Sequence, residues 1–204
     1  MQEKLLIAFM ILSRKEMLHY IREDKKRNLG AYNINPIIYL GKRLYGSDDM
    51  KAFLYLKALR KCEYARNCLK DKSFIGKLIY YYCKWCLHRL GEKYNIVIGE
   101  NMVGYGFRMP HIIGGGIIIN ANSIGNYCGA NVGVVVGNNH SWDDRPTIGD
   151  HVALTMGCKV YGKITIGNNV IVAPNSVVVK DVPDNCVVSG IPAKIIKQDG
   201  KLVR

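Results

Sequence analysis

Two histidines stand in stretches of the sequence that could support chemistry. His111 lies in the segment 104–117, which ends in a glycine cluster, and His140 lies in the polar stretch 137–146, which carries no aliphatic residue. Imidazole gains or loses a proton near neutral pH, so both residues are candidates for a general base. From residue type alone, His111 is better explained as a residue in a turn than as a base. For His140, a solvated loop residue and a catalytic residue are equally good explanations.

Two carboxylates, Asp143 and Asp144, follow His140 in the same polar stretch. A carboxylate orients an imidazole by accepting the proton of its second N–H group. We expect the stretch 137–146 to protrude as a loop from a rigid scaffold, which is where functional residues often lie.

A six-residue repeat predicts the elements that must position these residues. Aliphatic residues occupy every sixth position from 148 to 178, and Gly, Asn and Pro stand where the chain would turn. Each hexad therefore predicts one short strand and one corner, and three hexads would close a triangular coil. One coil cannot bury its apolar edge alone, so the coils must stack around an inner aliphatic ladder. The same phase continues upstream through Ile118, Ile124, Ala130 and Val136.

The charge is concentrated in the first half of the chain. Residues 1–94 contain 20 Lys and Arg against 9 Asp and Glu, a net charge of +11, whereas residues 95–204 contain 9 against 7, a net charge of +2. We expect an α-helical N-terminal region over 1–94, a β-helix domain over 95–198 and a C-terminal tail over 199–204. The predicted fold class is therefore mainly β, with a helical N-terminal region.

Helix signals support this division of the first half. A helix start is predicted at Ser47-Asp48-Asp49, because carboxylates favour the positive end of a helix. A second helix is predicted over 74–90, ended by Gly91, and a short one over the apolar run from Leu5 to Leu12. That run is too short to span a membrane, since a spanning helix needs about 20 apolar residues.

The basic, aromatic segment 74–90 has two interpretations. The favoured one is a helix packed beneath the β-helix or against a sister subunit. The alternative is an amphipathic helix that makes peripheral contact with an anionic membrane surface. We expect no nucleic-acid partner, because no recognition motif accompanies the charge.

The seven cysteines show no spacing typical of a disulfide framework, so we expect free thiols in a reducing compartment. Cys83 and Cys86, with His88 nearby, raise the question of a zinc site. The second Cys pair of a zinc pattern is missing, and Cys in a helix-like stretch acts as a small apolar residue. No metal is expected.

The sustained repeat, the embedded His111 and the closing segment Ser189-Gly190-Ile191-Pro192-Ala193-Lys194 together resemble the hexapeptide-repeat acyltransferases, over about residues 95–198. The similarity is greatest to the serine acetyltransferase group and its relatives in capsule and exopolysaccharide gene clusters. The resemblance implies a left-handed parallel β-helix, a homotrimer, and acetyl-CoA as co-substrate in the groove between neighbouring subunits.

The resemblance also implies roles for individual residues. His111 matches the family's catalytic histidine, and general-base assistance is typically worth about 10² to 10⁴ in rate. The family's second histidine precedes a proline in the loop; Arg145 stands there in this chain, so His140 is the candidate, with Asp143 or Asp144 to orient an imidazole. The coenzyme contacts of the family map to residues at the corners, namely Gly137, Asn138, Met156, Gly157, Ala173 and Pro174. Lys180 and Lys194 either meet the CoA phosphates as point charges or serve solubility alone.

Three acidic positions of the serine enzymes are not acidic in this chain: Ile96, Pro110 and the stretch 117–120. An amino-acid acceptor needs carboxylates to match its ammonium group in a desolvated site. We therefore expect a carbohydrate acceptor, with O-acetylation of a sugar or polysaccharide hydroxyl in capsule or exopolysaccharide biosynthesis. The alternatives are serine O-acetylation in cysteine biosynthesis and a non-catalytic β-helix scaffold. The expected location is cytoplasmic, with the inner face of the membrane as the site of any peripheral contact.

Overall fold

The chain folds into a helical region followed by a three-sided parallel β-helix. A computed structural model describes residues 10–139, 141 and 143–203. The predicted fold class, a left-handed parallel β-helix with an α-helical N-terminal region, is confirmed. Within the described residues, no helix is both long enough and apolar enough to cross a bilayer.

The helical region contains α1 (Arg14–Leu29), α2 (Pro36–Tyr45), α3 (Asp48–Tyr64) and α4 (Phe74–Tyr94), with a π-helical segment (Ala65–Leu69) directly after α3. Ser13 and Ser73 cap the N-termini of α1 and α4. Each hydroxyl group accepts a hydrogen bond from the backbone N–H three residues later, that of Glu16 and of Gly76 respectively. The predicted helix start at Ser47-Asp48-Asp49 is confirmed. The predicted helix over 5–12 lies mostly outside the described residues, and residues 10–12 are not helical.

The predicted end of α4 at Gly91 is wrong, because the helix continues to Tyr94. Gly91 is buried, and a Cβ atom there would come within 2.7 Å of the carbonyl oxygen of Ile96. Gly91 therefore does not end the helix. It lets α4 lie close to the first strand of the β-helix. Asn95 ends the helix in the left-handed conformation, with φ of 58°.

Three sheets form the sides of the β-helix. The first contains β1 (Ile96–Ile98), β2 (Ile117–Ile119), β5 (Val135–Gly137), β8 (Lys159–Tyr161) and β11 (Val177–Val178). The second contains β3 (Ser123–Ile124), β6 (Thr147–Ile148) and β9 (Thr165–Ile166). The third contains β4 (Gly129–Ala130), β7 (Ala153–Leu154), β10 (Ile171–Val172), β12 (Cys186–Gly190), β13 (Ala193–Gln198) and β14 (Lys201–Leu202).

The predicted aliphatic ladder fills the interior, with one correction. Each buried residue pairs with its equivalent in the next coil, as Ile124 does with Ile148 and Ile148 with Ile166. Ile118 is instead 48% exposed, and Ile119 takes the inner position opposite Val136. Strand β2 therefore meets the repeat one residue out of phase, because only five positions separate Ile119 from Ile124.

The C-terminal end of the β-helix is closed by antiparallel strands. β12 pairs with β13, and β13 pairs with β14. The stretch 199–204, expected to be a tail, thus contributes Lys201–Leu202 to the third sheet. Antiparallel pairing covers the last coil, which has no further coil to stack on.

A buried arginine joins the helices to the first coil. Arg60 on α3 is fully buried, and its Nε atom lies 2.9 Å from Oδ2 of Asp24 on α1. Its remaining donors reach Glu63 at 3.1 Å and the carbonyl oxygens of Val103 and Gly104. Every charge in this cluster has a hydrogen-bonded partner, as burial requires.

Candidate active site

His111 lies in a wide corner of the β-helix. Between the bridge residue Arg108 and strand β2, the corner 109–116 has eight residues, whereas the corner below it, 131–134, has four. His111 itself has φ of +52°, which is uncommon for a residue other than glycine. Its neighbours Met109 and Ile112 are buried, but His111 is exposed. The corner therefore holds its backbone against the core and presents the imidazole outward.

The corners beneath His111 form a continuous column along the β-helix. The N–H of Gly133 donates to the carbonyl oxygen of Gly116 at 2.7 Å, and the N–H of Gly157 donates to that of Val132 at 2.9 Å. One coil further, the N–H of Asn175 donates to the carbonyl oxygen of Met156 at 2.9 Å. Four of the sequence-predicted coenzyme residues lie in this column: Met156, Gly157, Ala173 and Pro174.

Successive corners of this column approach each other closely where both carry glycine. Gly133 has φ of +76°, and a Cβ atom there would lie 3.3 Å from the Cα atom of Gly157. A side chain at either position would enter the space beside the backbone, so the glycines keep the groove open.

Gly137 and Asn138 lie at the adjacent corner, where the nine-residue connection 138–146 leaves the β-helix. The Nδ2 atom of Asn120 donates to Oδ1 of Asn138 at 3.2 Å, which links this corner to the coil above. Asp143 is exposed in a turn that is closed by a hydrogen bond from the N–H of Asp144 to the carbonyl oxygen of Ser141. Within one chain, Asp143 and His111 therefore lie at different corners.

His140 lies outside the described residues. Lys180 is exposed near the end of the β-helix, two coils beyond Gly137. Lys194 is exposed on β13 and pairs with Ser189 of β12. Among the described residues, no group of three or more His, Cys, Asp or Glu side chains could hold a metal ion.

Two neighbouring cavities lie between α1 and the β-helix, on the side of His111. The larger has a volume of about 530 Å³ and the smaller about 190 Å³. Arg27, Arg108 and Tyr127 line both cavities. Pro110, which precedes His111, lines the smaller one. A polar, cationic space therefore adjoins the corner of the candidate base.

The larger cavity also contains a positioned carboxylate. Glu23 of α1 is 8% exposed, and its oxygens accept hydrogen bonds from the hydroxyl groups of Tyr32 at 3.1 Å and Tyr127 at 3.3 Å. Burial raises the pKa of the Tyr127 phenol, and the negative charge of Glu23 raises it further. Tyr127 therefore keeps its proton and donates it to Glu23 in a hydrogen bond. The ring of His151 stacks on Tyr127 with centroids 5.4 Å apart and lines the smaller cavity.

Glu23, Arg27, Arg108 and His151 line these cavities, and no sequence motif indicated any of them. Glu23 and Arg27 stand 88 and 84 positions before His111, and no spacing rule connects them with it. His151 stands inside a regular hexad, where its residue type was the only available signal.

Comparison with known proteins gives a consistent result. Residues 145–180 match the family described as bacterial transferase hexapeptide (six repeats). A serine acetyltransferase of Synechococcus elongatus is 39% identical over 101 residues, which cover 48% of this chain and 41% of that protein. One from Staphylococcus xylosus is 49% identical over 59 residues, which cover 29% of this chain and 27% of that protein. The chain thus spans less than half the length of these curated relatives.

The fold comparison covers more of the chain. The crystal structure of Neisseria gonorrhoeae serine acetyltransferase in complex with serine superposes with a TM-score of 0.66 and 26% identity, and covers 91% of this chain and 71% of that one. This likeness includes the helical region as well as the β-helix, since 91% of the chain cannot be matched by the β-helix alone.

These similarities overturn the predicted acceptor. The expected carbohydrate hydroxyl, with a role in capsule or exopolysaccharide biosynthesis, is wrong, because the relatives are serine acetyltransferases. The prediction rested on three local positions that are not acidic in this chain, and those positions alone do not determine the acceptor. The chain contains a bacterial transferase hexapeptide segment and is similar, in both sequence and fold, to serine acetyltransferases.

Proposed function

We propose that the protein is an acetyl-CoA-dependent serine O-acetyltransferase of cysteine biosynthesis, with His111 as its general base. The observation that carries this proposal is the exposed His111 at the head of the glycine-lined corner column. Similarity to serine acetyltransferases supports the reaction and both substrates.

His111 would accept the proton of the serine hydroxyl as the oxygen attacks the thioester carbonyl carbon. A C–O bond forms, the C–S bond breaks, and the imidazolium returns the proton to the departing CoA sulfur. Such assistance contributes about 10² to 10⁴ in rate, so loss of the imidazole slows turnover without removing substrate binding.

The pantetheine arm of acetyl-CoA would lie along the corner column below His111. Gly157, Ala173 and Pro174 leave room for it, while backbone groups at successive corners supply hydrogen bonds. Met156 is 46% exposed beside this path and provides apolar contact. Gly137 and Asn138 would contribute from the adjacent corner of a neighbouring copy, and Lys180 and Lys194 would meet the phosphates.

The zwitterionic serine would bind in the cavities between α1 and the β-helix. The Glu23 carboxylate would pair with its ammonium group, and the guanidinium groups of Arg27 and Arg108 with its carboxylate. Charged hydrogen bonds of this kind are stronger than neutral ones and select against acceptors that lack either charge. This set would replace the acidic residues absent at Ile96 and Pro110.

We further propose that the enzyme works as a homotrimer in the cytoplasm, where acetyl-CoA is available. Within one chain the connection 138–146 and His111 stand at different corners. A second copy would bring that connection, with His140 and Asp143, to the His111 corner.

The test is an acceptor panel with the wild-type protein, measured as release of the CoA thiol from acetyl-CoA. We expect turnover with L-serine, and at least about 100-fold lower kcat/KM with ethanolamine and with 3-hydroxypropionate, which lack the carboxylate and the ammonium group respectively. Equal turnover of the three would contradict recognition of a zwitterion. No release with any acceptor, despite bound acetyl-CoA, would contradict the serine assignment, and no binding of acetyl-CoA would favour a scaffold.

A further inference from the structure

Helix α2 exposes an apolar face and buries none of its residues. Ile37, Leu40 and Leu44 lie three and four positions apart, so they share one side of the helix. Ile37 is 80% exposed and Leu44 is 79% exposed. The helix has no acidic residue, and its last turn carries Lys42 and Arg43. This is the composition of an amphipathic helix that lies at an interface.

Helix α4 is apolar on two opposite sides. Tyr80 and Leu87 are buried against the rest of the protein, whereas Leu78, Tyr82 and Trp85 are more than half exposed on the other side. The rings of Tyr82 and Trp85 are stacked, with centroids 6.2 Å apart. A contiguous patch of exposed apolar and aromatic side chains usually marks a contact with another protein or with a membrane. The outer face of α4 therefore needs an apolar or interfacial neighbour.

A group of four cations joins these two helices. Lys57 of α3 interacts electrostatically with Lys61, Arg43 and Lys25, and desolvation together with these charges lowers the pKa of Lys57. Within the part of the chain that the structure describes, none of the four forms an ion pair. Lys57 and Lys61 line a groove of about 280 Å³ together with Tyr82. The basic group is thus continuous with α2 through Arg43 and with α4 through Tyr82.

We propose that α2, the outer face of α4 and the cationic group Lys25, Arg43, Lys57 and Lys61 together bind the surface of an anionic lipid bilayer. Lysine and arginine attract anionic headgroups, and Tyr and Trp favour the boundary between headgroups and acyl chains. The contact is peripheral. It goes beyond acetyl transfer and does not depend on it.

A second copy of the chain is a less suitable occupant of this surface. A two-fold contact places the same patch on both partners, so the cationic groups would face each other. A rotationally repeated contact would set the cationic group against another part of the chain, and neither half of the chain is net acidic, with +11 over residues 1–94 and +2 over residues 95–204. Charge complementarity therefore favours anionic lipid.

The test is co-flotation of the full-length protein with phosphatidylcholine vesicles that contain or lack phosphatidylglycerol. We expect binding only to the anionic vesicles, and a decrease in binding as salt is added. The double variant Lys57→Glu, Lys61→Glu should bind at least about tenfold more weakly. The matched control Lys163→Glu, Lys201→Glu makes the same change of charge on the β-helix and should retain binding. The variant Leu40→Asp, Leu44→Asp tests the apolar face and should also lose binding.

Tryptophan emission gives a second readout that identifies the surface. In a Trp142→Phe background, Trp85 is the remaining tryptophan of the two in the chain. Its emission should shift to shorter wavelength on addition of anionic vesicles. The proposal is overturned if wild-type protein does not float with anionic vesicles, or if the lysine variant and its control float equally. It is also overturned if sedimentation velocity shows that self-association, rather than vesicles, shields Trp85.

Discussion

The side-chain amide of Asn28 donates a 2.8 Å hydrogen bond to the carbonyl oxygen of Phe107. The Oδ1 atom of the same amide accepts the N–H of Met109 at 3.1 Å, and both contacts are buried. Helix α1 therefore fixes the backbone on which His111 stands, two residues beyond Met109.

Replacement of Asn28 by leucine should lower kcat more than it changes KM for acetyl-CoA. The unpaired carbonyl and N–H groups would let the His111 corner shift, and small displacements of catalytic groups can cost about 100-fold in rate. Steady-state kinetics measures both constants. Asn67→Leu is the matched control, since Asn67 also ties the helical region to the first coil, through Asn101 at 2.9 Å, but at another corner. A similar fall in kcat for both variants would indicate general loosening instead.

Asp24→Asn should reduce the free energy of unfolding by about 3–5 kcal/mol, because it leaves the buried charge of Arg60 short of a partner. Chemical denaturation followed by circular dichroism measures this change. Glu92→Gln provides the control: Glu92 is paired with Arg89 at 3.2 Å, but both side chains are more than half exposed. Exposed pairs contribute up to about 1 kcal/mol. Equal losses for the two variants would show that the Arg60 cluster does not secure the joint between helices and β-helix.

Glu23→Gln should raise KM for L-serine by about 10-fold to 100-fold and leave KM for acetyl-CoA unchanged, since a charged hydrogen bond to the ammonium group is lost. Initial rates with each substrate varied in turn separate the two constants. The comparison variant is Asp49→Asn. Asp49 lines the same cavity, but its carboxylate is paired with Lys42 at 3.7 Å. An unchanged KM for serine in Glu23→Gln would remove α1 from the proposed acceptor site.

Thiol alkylation should separate the seven cysteines into two classes. Cys83 and Cys86 are partly exposed and the other five are buried. Burial raises the pKa of the Cys128 and Cys158 thiols to about 12. The thiolate is the reactive form, so a raised pKa lowers reactivity at a given pH. Modification of Cys128 and Cys158 should be slow near neutral pH. Its rate should still increase with pH above about 8.5, where an ordinary thiol is already half ionised. Peptide mass spectrometry after iodoacetamide treatment measures this, with guanidinium-unfolded protein as the reference; equal native rates at Cys128 and Cys86 would contradict it.

The repeat made the β-helix predictable, because few structures accommodate a six-residue aliphatic period. Each hexad also indicates its own strand and corner from adjacent residues alone. The phase error at Ile118 arose at the start of the repeat, where five positions instead of six separate the inner residues Ile119 and Ile124. The Gly91 error has a different cause: glycine is a helix stop in isolation, but here it serves close packing against Ile96. The close approach of Gly91 to Ile96 is a tertiary contact, which a local sequence window does not contain.

The candidate site was predictable only where it follows the repeat. The corner residues Met156, Gly157, Ala173 and Pro174 share a column because they are equivalent positions in successive coils. Glu23 and Arg27 reach the cavity through the docking of α1, which depends on the buried contacts of Asp24 and Asn28. No sequence period encodes that docking, so the proposed acceptor residues could not be inferred before the fold.

The most direct test of the account is the formation of O-acetylserine from acetyl-CoA and L-serine by the wild-type protein and by His111→Ala, measured by mass spectrometry. The account predicts product with wild type and a rate lower by about 10² to 10⁴ in the variant, with binding of CoA retained. His88→Ala is the control, since His88 is an exposed histidine of α4 that pairs with Glu92 at 3.3 Å, and the variant should stay within about tenfold of wild type. Equal rates for wild type and His111→Ala, or no O-acetylserine from the wild-type protein, would contradict the assignment.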